Sequence, residues 1–540
     1  MFSIDGFPAM KWYWQWACFA VLALVLYIPV IGNTFLSDDF LVLQKAGVEQ
    51  QLNTDGFFRP LSDITLWLTY RLAGLTAWPY YLFGILLHAL NAVLLMQYCL
   101  RMTAGGFAQR LVPLLASVFF LIYPFHNEAI AWILGRGALM AGTFAIAGML
   151  VLAGNWSFSR KIAFICACYF TGLMAYETII IFPVMVLAQL LLLRAGRRQI
   201  LSCMLALLLT FALHCWLRIA VSGAFFGSYG ESFFSGNLLD TVQSMLKSAG
   251  RVMLPPSDNS NMMMLNFVIA SILLLASMVV VGRKLQRAGE SRFYFIQMVC
   301  FVIAMTVPMW LGVSTRTSES DRFLYLPGFF FCILLAFLSV FLFNHRKKRA
   351  LLVLVLLAAG VLLLEENNMN WKRASDAVRT LLKEAKEPQG RLWVVNLPGE
   401  TDGAYIFRMG FDNALQLYGA DSSRVKVVSR LTRDQELSLP RFILPQKEGH
   451  IEWIAPSTLV LKEELPGVTA VTNGRSLKAL TDSILQKGYD FSFEAAAYSN
   501  QIQQFLIRNP LALDQLRIAM PQPGDRLLFW NRKEWIRQGY

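Results

Sequence analysis

Charge is scarce in this chain: Asp, Glu, Lys and Arg make up 15% of its 540 residues, whereas 56% are hydrophobic and the mean hydropathy is +0.49. So little charge cannot solvate a globular surface of 61.0 kDa, which excludes a simple soluble enzyme, a disordered chain and a coiled coil. Histidine is rarer still, with five in the chain and no His-x-x-x-His spacing, so no zinc ligand set is indicated. The eight cysteines (18, 99, 166, 168, 203, 215, 300 and 332) lie in or beside apolar stretches, which excludes a disulfide framework and a structural zinc site. The C-terminal region has no GxGxxG fingerprint, no internal repeat and no tetratricopeptide pattern.

What the sequence does have is apolar blocks separated by short basic loops. Eleven read as membrane spans: 13–32, 79–99, 110–124, 137–155, 162–175, 178–193, 200–218, 264–282, 293–311, 323–343 and 350–364. With the N-terminus inside, every inner loop is basic: Arg101 and Arg110; Arg160 and Lys161; Arg194, Arg197 and Arg198; Arg283, Lys284, Arg287 and Arg292; and 346–349. Together with Lys11 this gives 16 basic against two acidic residues inside, and nine basic against twelve acidic outside, as the retention of cationic loops requires. The third, fifth and eleventh spans are short, since about 15 residues of helix cover about 22 Å of a core roughly 30 Å thick. The first stretch is long, aromatic and followed by Ser37-Asp38-Asp39 without a small-residue cleavage pattern, so it is read as a span rather than a removed signal. The formal charge of +13 resides in the membrane half, where residues 1–364 hold 25 Lys+Arg against 14 Asp+Glu, while 365–540 hold 23 against 21. No nucleic-acid partner is therefore expected.

From about residue 365 charges of both signs return. Strands are predicted at 391–396, 424–429, within 451–461 and at 526–530, with helices at 403–418 and 476–487. The expected fold is a polytopic α-helical membrane protein of about 11 transmembrane helices, residues 1–364, followed by a soluble α/β domain, residues 365–540. The segment 399–403 contains glycine but no nucleotide fingerprint, so a lid or acceptor-docking module is the plainer reading. The one Asn-x-Ser/Thr sequon, at Asn155, falls in an inner loop, which favours a bacterial inner membrane, with the C-terminal domain periplasmic.

Polar residues gather in the outer loops, where ionisable groups are costly. Asp38-Asp39 follows the first span, with Phe57-Phe58-Arg59-Pro60-Leu61 in the same loop. Two adjacent carboxylates suit a proton acceptor and its neighbour; a solvated loop end or helix cap is the alternative. In the 123–136 block, Glu128, Trp132 and Arg136 would share one face if the segment is helical, a stripe suited to a sugar and its phosphate; a self-satisfied Glu–Arg pair is the alternative. His126 reads as a hydrogen-bonding residue rather than a metal ligand. Glu177 interrupts an apolar run after Tyr176 and should face a cavity or an arginine. Arg316, Glu319, Asp321 and Arg322 precede Tyr325; Arg322 with Tyr325 would grip a lipid phosphate, an intraloop Asp321–Arg322 pair being the alternative. Arg218 and Arg251 are further phosphate candidates, and His88 and Asn91 read as interhelical hydrogen-bonders.

The ordered series Asp38-Asp39, Arg59-Pro60-Leu61, His88-Ala89-Leu90, the 126–136 block, Tyr176-Glu177 and the 322–327 block resembles the integral-membrane glycosyltransferases of the GT-C superfamily. Within it, the series resembles the transmembrane and tetratricopeptide-repeat O-mannosyltransferases and their bacterial relatives. The resemblance covers about residues 10–345 and stops where those eukaryotic proteins carry helical repeats. It implies a polyprenyl (undecaprenyl) phosphate sugar donor drawn from the lipid bilayer, transfer of a hexose with inversion, and Asp38 or Asp39 as base, Asp38 preferred. Arg59, Arg136, Arg322 and Tyr325 would then hold the donor phosphate, and His126, Glu128, Trp132 and Glu177 the sugar or acceptor. No cofactor or metal is expected, a divalent cation at the Asp pair being the alternative. The absent repeats favour a lipid-linked or surface glycan as acceptor over an exported protein. The rival readings are a lipid or glycolipid flippase and a sensor anchored in the membrane.

Overall fold

The computed structural model describes residues 10–52, 57–103, 107–223, 247–256, 260–287, 291–315, 317–387, 389–394, 397–427, 430–431, 441–443, 451–455, 458–461, 469–472, 491–497, 509–518, 524–530 and 534–539. They fall into two compact units: residues 1–32 with 45–369, and 33–44 with 370–540.

The first unit is helical. The apolar stretches named from the sequence overlap helices, but 13–32 is divided at Tyr27 into Trp12–Leu26 and Ile28–Ile31, and 178–193 opens in the 3-10 segment Glu177–Ile181. Among the described residues, eight helices are long and apolar enough to cross a membrane, from Trp78–Met102 to Arg346–Lys386, and a ninth candidate is the pair Arg110–Leu121 and Pro124–Ala131, bent by 51°. Trp12–Leu26 and Glu177–Leu192 are shorter apolar helices. The chain is thus a multi-pass membrane protein. The bend has a local cause: Pro124 cannot donate to the preceding turn and holds Tyr123 extended. The last span is not short, because Arg346–Lys386 is one helix of 41 residues, about 60 Å long at 1.5 Å per residue. The return of charge at 365 therefore marks a change of surroundings within a helix and not its end.

Burial sorts the helices. Arg197–Ser222 and Arg346–Lys386 leave most of their apolar windows exposed, with Leu205, Leu208, Trp216 and Leu354 outward, whereas Trp78–Met102, Ile133–Leu152 and Asp321–Phe341 are mostly buried. The buried helices are fastened by polar side chains. Asn91 Nδ2 donates to the Leu139 carbonyl at 3.1 Å and to Tyr325 Oη at 2.9 Å, and His88 Nδ1 lies 2.9 Å from the same hydroxyl. In a bundle whose helices gain nothing from hydrophobic contrast with lipid, such bonds hold neighbours together.

The second unit contains a four-stranded sheet ordered Trp535–Gly539, Arg526–Trp530, Leu392–Val394, Val425–Val427. Leu392–Val394 is parallel to both neighbours, and the outer pair is an antiparallel hairpin. Trp393, Leu528 and Phe529 are buried, as are Trp371, Val378 and Leu381 of the long helix, and Trp535 Nε1 donates to the Ala377 carbonyl at 2.8 Å. A second, antiparallel sheet is built around Asn509–Ile518, which pairs with Thr469–Thr472, Phe491–Ala497 and Thr458–Leu461. The helix predicted over 403–418 is shorter: Glu400–Thr401 and Ala404–Tyr405 form a tight hairpin, and only Phe411–Leu417 is helical. Gly403 and Gly410 take φ of 87° and 73°, left-handed positions that a continuous helix does not allow. The helix predicted at 476–487 lies outside the described residues, as does Arg316.

Candidate functional site

In the first unit, residues 59, 128, 176, 177, 218 and 322 form one connected polar network. Arg59 forks onto Glu177, with Nε and Nη2 each 2.8 Å from Oε2. Arg218 Nη1 approaches the other oxygen at 3.5 Å, while its buried Nε has no hydrogen-bond partner among the described residues. The guanidinium of Arg59 lies over the Tyr176 ring at 4.3 Å and the Phe57 ring at 4.6 Å, and the Tyr176 hydroxyl accepts from Arg322 Nε at 3.0 Å. Arg322 in turn pairs with buried Glu128 through Nη1 and through its own backbone N–H, at 2.8 Å to Oε2. Its guanidinium lies over Trp132 at 5.2 Å and Phe323 at 4.7 Å. Arginines braced by carboxylates and aromatic faces present planar donors that match phosphate oxygens.

The helical stripe expected from Glu128, Trp132 and Arg136 does not form. The helix Asn127–Ala131 ends at Trp132, whose backbone is extended, and a 3-10 turn, Ile133–Gly135, precedes the next helix at Arg136. The fold-back depends on Gly135, where a Cβ would stand 2.7 Å from Ala129 Cα and from the Glu128 carbonyl. Glu128 and Trp132 consequently meet Arg322, whereas buried Arg136 donates from Nε to the Ile133 carbonyl at 3.0 Å and from Nη1 to Thr69 at 3.4 Å.

The structure gives Asp321, Arg322 and Tyr325 separate partners. Asp321 takes both oxygens to Arg251 Nη2, at 2.6 and 2.7 Å, while Arg251 also donates to the Ser314 and Leu254 carbonyls. This phosphate candidate is thus a buried staple. Tyr325 is fully buried and shares its hydroxyl with His88 and Asn91, not with Arg322. Tyr325→Phe is expected to lower thermal stability by about 1–3 kcal/mol, the cost of stranding buried partners, with no change in affinity for undecaprenyl phosphate; a calorimetric scan and a binding isotherm check the two halves. His126 makes the expected hydrogen bond, Nδ1 to the Phe120 carbonyl at 3.2 Å. Among the described residues no cluster of His, Cys, Asp or Glu is arranged to hold a metal ion.

Sequence reasoning passed over Asp63. It lies on the amphipathic helix Pro60–Ala73, which is not among the membrane spans, and it is buried with Oδ2 lacking a hydrogen-bond partner among the described residues. The signal was present in its placement four residues after Arg59. Burial lifts its carboxyl to about 7, against the opposing pull of Arg59. The folded state therefore keeps a proton that the unfolded chain releases near pH 4, and stability falls as pH rises from about 4 to 7, by up to about 1.4 kcal/mol per unit. Asp63→Asn is expected to flatten that slope and to raise the melting temperature more at pH 8 than at pH 5.

In the second unit, residues 33–44 carry the acidic pair. Asp38 and Asp39 open a five-residue helix, Asp38–Val42, and their environments differ. Asp39 is fully buried and accepts the Leu36 N–H on Oδ2 at 2.9 Å. Asp38 is 18% exposed, accepts from Ser37 Oγ on Oδ1 at 2.8 Å and pairs with Arg408 through Oδ2 at 3.3 Å. Only Asp38 combines a fixed carboxylate with access.

Over 362 residues the chain is 22% identical to a protein O-mannosyl-transferase of Caenorhabditis elegans, a match that covers 60% of this chain and 51% of the worm protein. This chain is similar to the protein O-mannosyl-transferases. A 150-residue stretch is 31% identical to protein O-mannosyl-transferase tmtc2 of Xenopus laevis, covering 24% of this chain and 18% of that protein. Among solved structures, arabinofuranosyltransferase AftD from Mycobacteria aligns over 95% of this chain and 42% of its own, at 14% identity and a TM-score of 0.38. No family model matches the chain. The resemblance read from the motif series is matched by sequence similarity over 60% of this chain, which spans about half the length of the worm O-mannosyl-transferase.

Proposed function

We propose that the chain is a membrane glycosyltransferase that moves a hexose from a polyprenyl phosphate, of the undecaprenyl type, to an acceptor hydroxyl with inversion. The observation that carries this reading is the network joining Arg218, Glu177, Arg59, Tyr176, Arg322 and Glu128 in one polytopic unit. Arginines held this way suit the phosphate of a donor whose tail remains in lipid, and similarity to protein O-mannosyl-transferases supports the sugar chemistry. In the proposed reaction the C1–O bond to the carrier phosphate breaks as the acceptor oxygen bonds to C1. Asp38 accepts the acceptor proton, and the arginines stabilise the charge that develops on the departing phosphate. Glu177, Glu128, Trp132 and His126 are assigned to sugar or acceptor recognition, Glu177 and Glu128 also setting the arginines. Neither metal nor cofactor has a part in the scheme.

The proposed location is a bacterial inner membrane with the second unit in the periplasm, and the acceptor a lipid-linked or surface glycan. The test is mass spectrometry of surface glycans and exported proteins from cells with and without the chain. A hexose-sized difference on a glycan supports the reading, and the same difference on protein moves the acceptor to the class named for the relatives. No difference, with carrier-linked sugar instead redistributing across the membrane, replaces the transferase by a flippase.

A further inference from the structure

The second unit has no assigned task, yet one of its segments, 404–410, grips the acidic pair from three directions. The Ser37 N–H donates to the Ile406 carbonyl at 2.9 Å. The Met409 N–H donates to Ser37 Oγ at 3.1 Å, and Ser37 Oγ donates onward to Asp38 Oδ1 at 2.8 Å. Arg408 Nη2 reaches Asp38 Oδ2 at 3.3 Å, its guanidinium resting over the Tyr405 ring at 4.2 Å. Both oxygens of Asp38 are therefore fixed by this segment, one through Ser37 and one directly.

The backbone is fitted to the same end. Ser37 adopts φ 47° and ψ −118°, a conformation that a non-glycine residue keeps only when its surroundings over-determine it. The surroundings do so. Gly410 approaches so closely that a Cβ there would lie 2.5 Å from the Ser37 carbonyl oxygen. The Phe40 ring stacks on Phe407 at 6.1 Å and meets Tyr418 edge-on at 6.2 Å, and the Thr34 N–H donates to Ser375 Oγ at 2.8 Å. A short loop that had only to stay soluble would need none of this.

We propose that the 404–410 segment is a positioning element for the reaction, with Arg408 and Ser37 as positioning residues that fix the carboxylate of Asp38 in the orientation needed to take the acceptor proton. This rests on the glycosyltransferase reading above. It gives the C-terminal unit a task within the catalytic cycle, where lid or acceptor docking was expected, and predicts a defect in turnover rather than in donor capture.

The experiment uses the full chain in proteoliposomes with undecaprenyl phosphate linked to radiolabelled mannose, and to glucose in parallel, and an extract of cells lacking the chain as acceptor. Arg408→Ala is expected to lower kcat by about 10²-fold, the scale of a misplaced catalytic group, with KM for the donor within about twofold. Arg408→Lys should recover part of the loss, because a cation is retained, and Ser37→Ala should lower kcat in the same sense. Asp38→Asn runs alongside. Wild-type kcat in Arg408→Ala with Asp38→Asn inactive overturns the positioning role and leaves the transferase reading standing. A rise in KM at constant kcat also overturns it, since Arg408 would then bind the donor itself. Full transfer by Asp38→Asn, or none by the wild-type chain, overturns the transferase reading instead. Where Arg408→Ala does not fold, Arg408→Lys and Ser37→Ala read the same split.

Discussion

Asp38→Asn is expected to reduce sugar transfer by about 10²–10⁴-fold, the range that a general base contributes, while binding of undecaprenyl phosphate is unchanged. Asp39→Asn is expected to cost far less. Asp39 is buried and its Oδ2 serves the Leu36 N–H, a bond that the amide oxygen of Asn can still accept. Its loss should therefore register as a lower melting temperature and at most a modest change in rate. Asp38 instead keeps an exposed edge, and its two oxygens are held by Ser37 and Arg408. Steady-state rates of the two single variants, normalised to folded protein, decide between them. The opposite order, with Asp39→Asn inactive and Asp38→Asn active, would transfer the role of base to Asp39.

The legible parts of the sequence were those governed by period and position along the chain. Apolar runs mark the eight helices that are long and apolar enough to cross a membrane among the described residues, because a lipid-embedded segment must satisfy its own backbone and exclude charge over its length. The parallel pairing of Leu392–Val394 with Val425–Val427 follows from two short β-branched runs flanking a helix. Partner choice was not legible. Glu128 and Arg136 are eight apart, and helical spacing would align them, yet one extended residue at Trp132 and the close turn at Gly135 send Glu128 to Arg322, 194 positions away. Likewise nothing local to Asp38 points to Arg408, 370 positions on. Asp63 was hidden for a different reason: a lone carboxylate on an amphipathic helix reads as solvated until packing closes over it. Sequence thus showed which residues were expensive to keep in such a chain and left their pairing to tertiary structure.

Glu128→Ala is expected to be the most damaging single change to the first unit. Glu128 is buried and takes two donors from Arg322, the side chain and the backbone N–H. Removing it leaves a guanidinium and an amide desolvated beside Trp132 and Phe323, and breaking a buried pair from one side costs about 3–5 kcal/mol. A stability loss alone would not separate a structural pair from a working one. The double variant Glu128→Leu with Arg322→Met does, because a buried pair exchanged for well-packed hydrophobic residues of similar volume is often near neutral in stability. The double variant should therefore melt within a few degrees of the wild type and still fail to bind undecaprenyl phosphate, since the guanidinium that Tyr176 orients is gone. Thermal unfolding in detergent and a binding isotherm on the same preparation give both quantities. Wild-type affinity in a well-folded double variant would remove Arg322 from the donor site and leave Arg59 and Arg218, gathered on Glu177, to hold the phosphate.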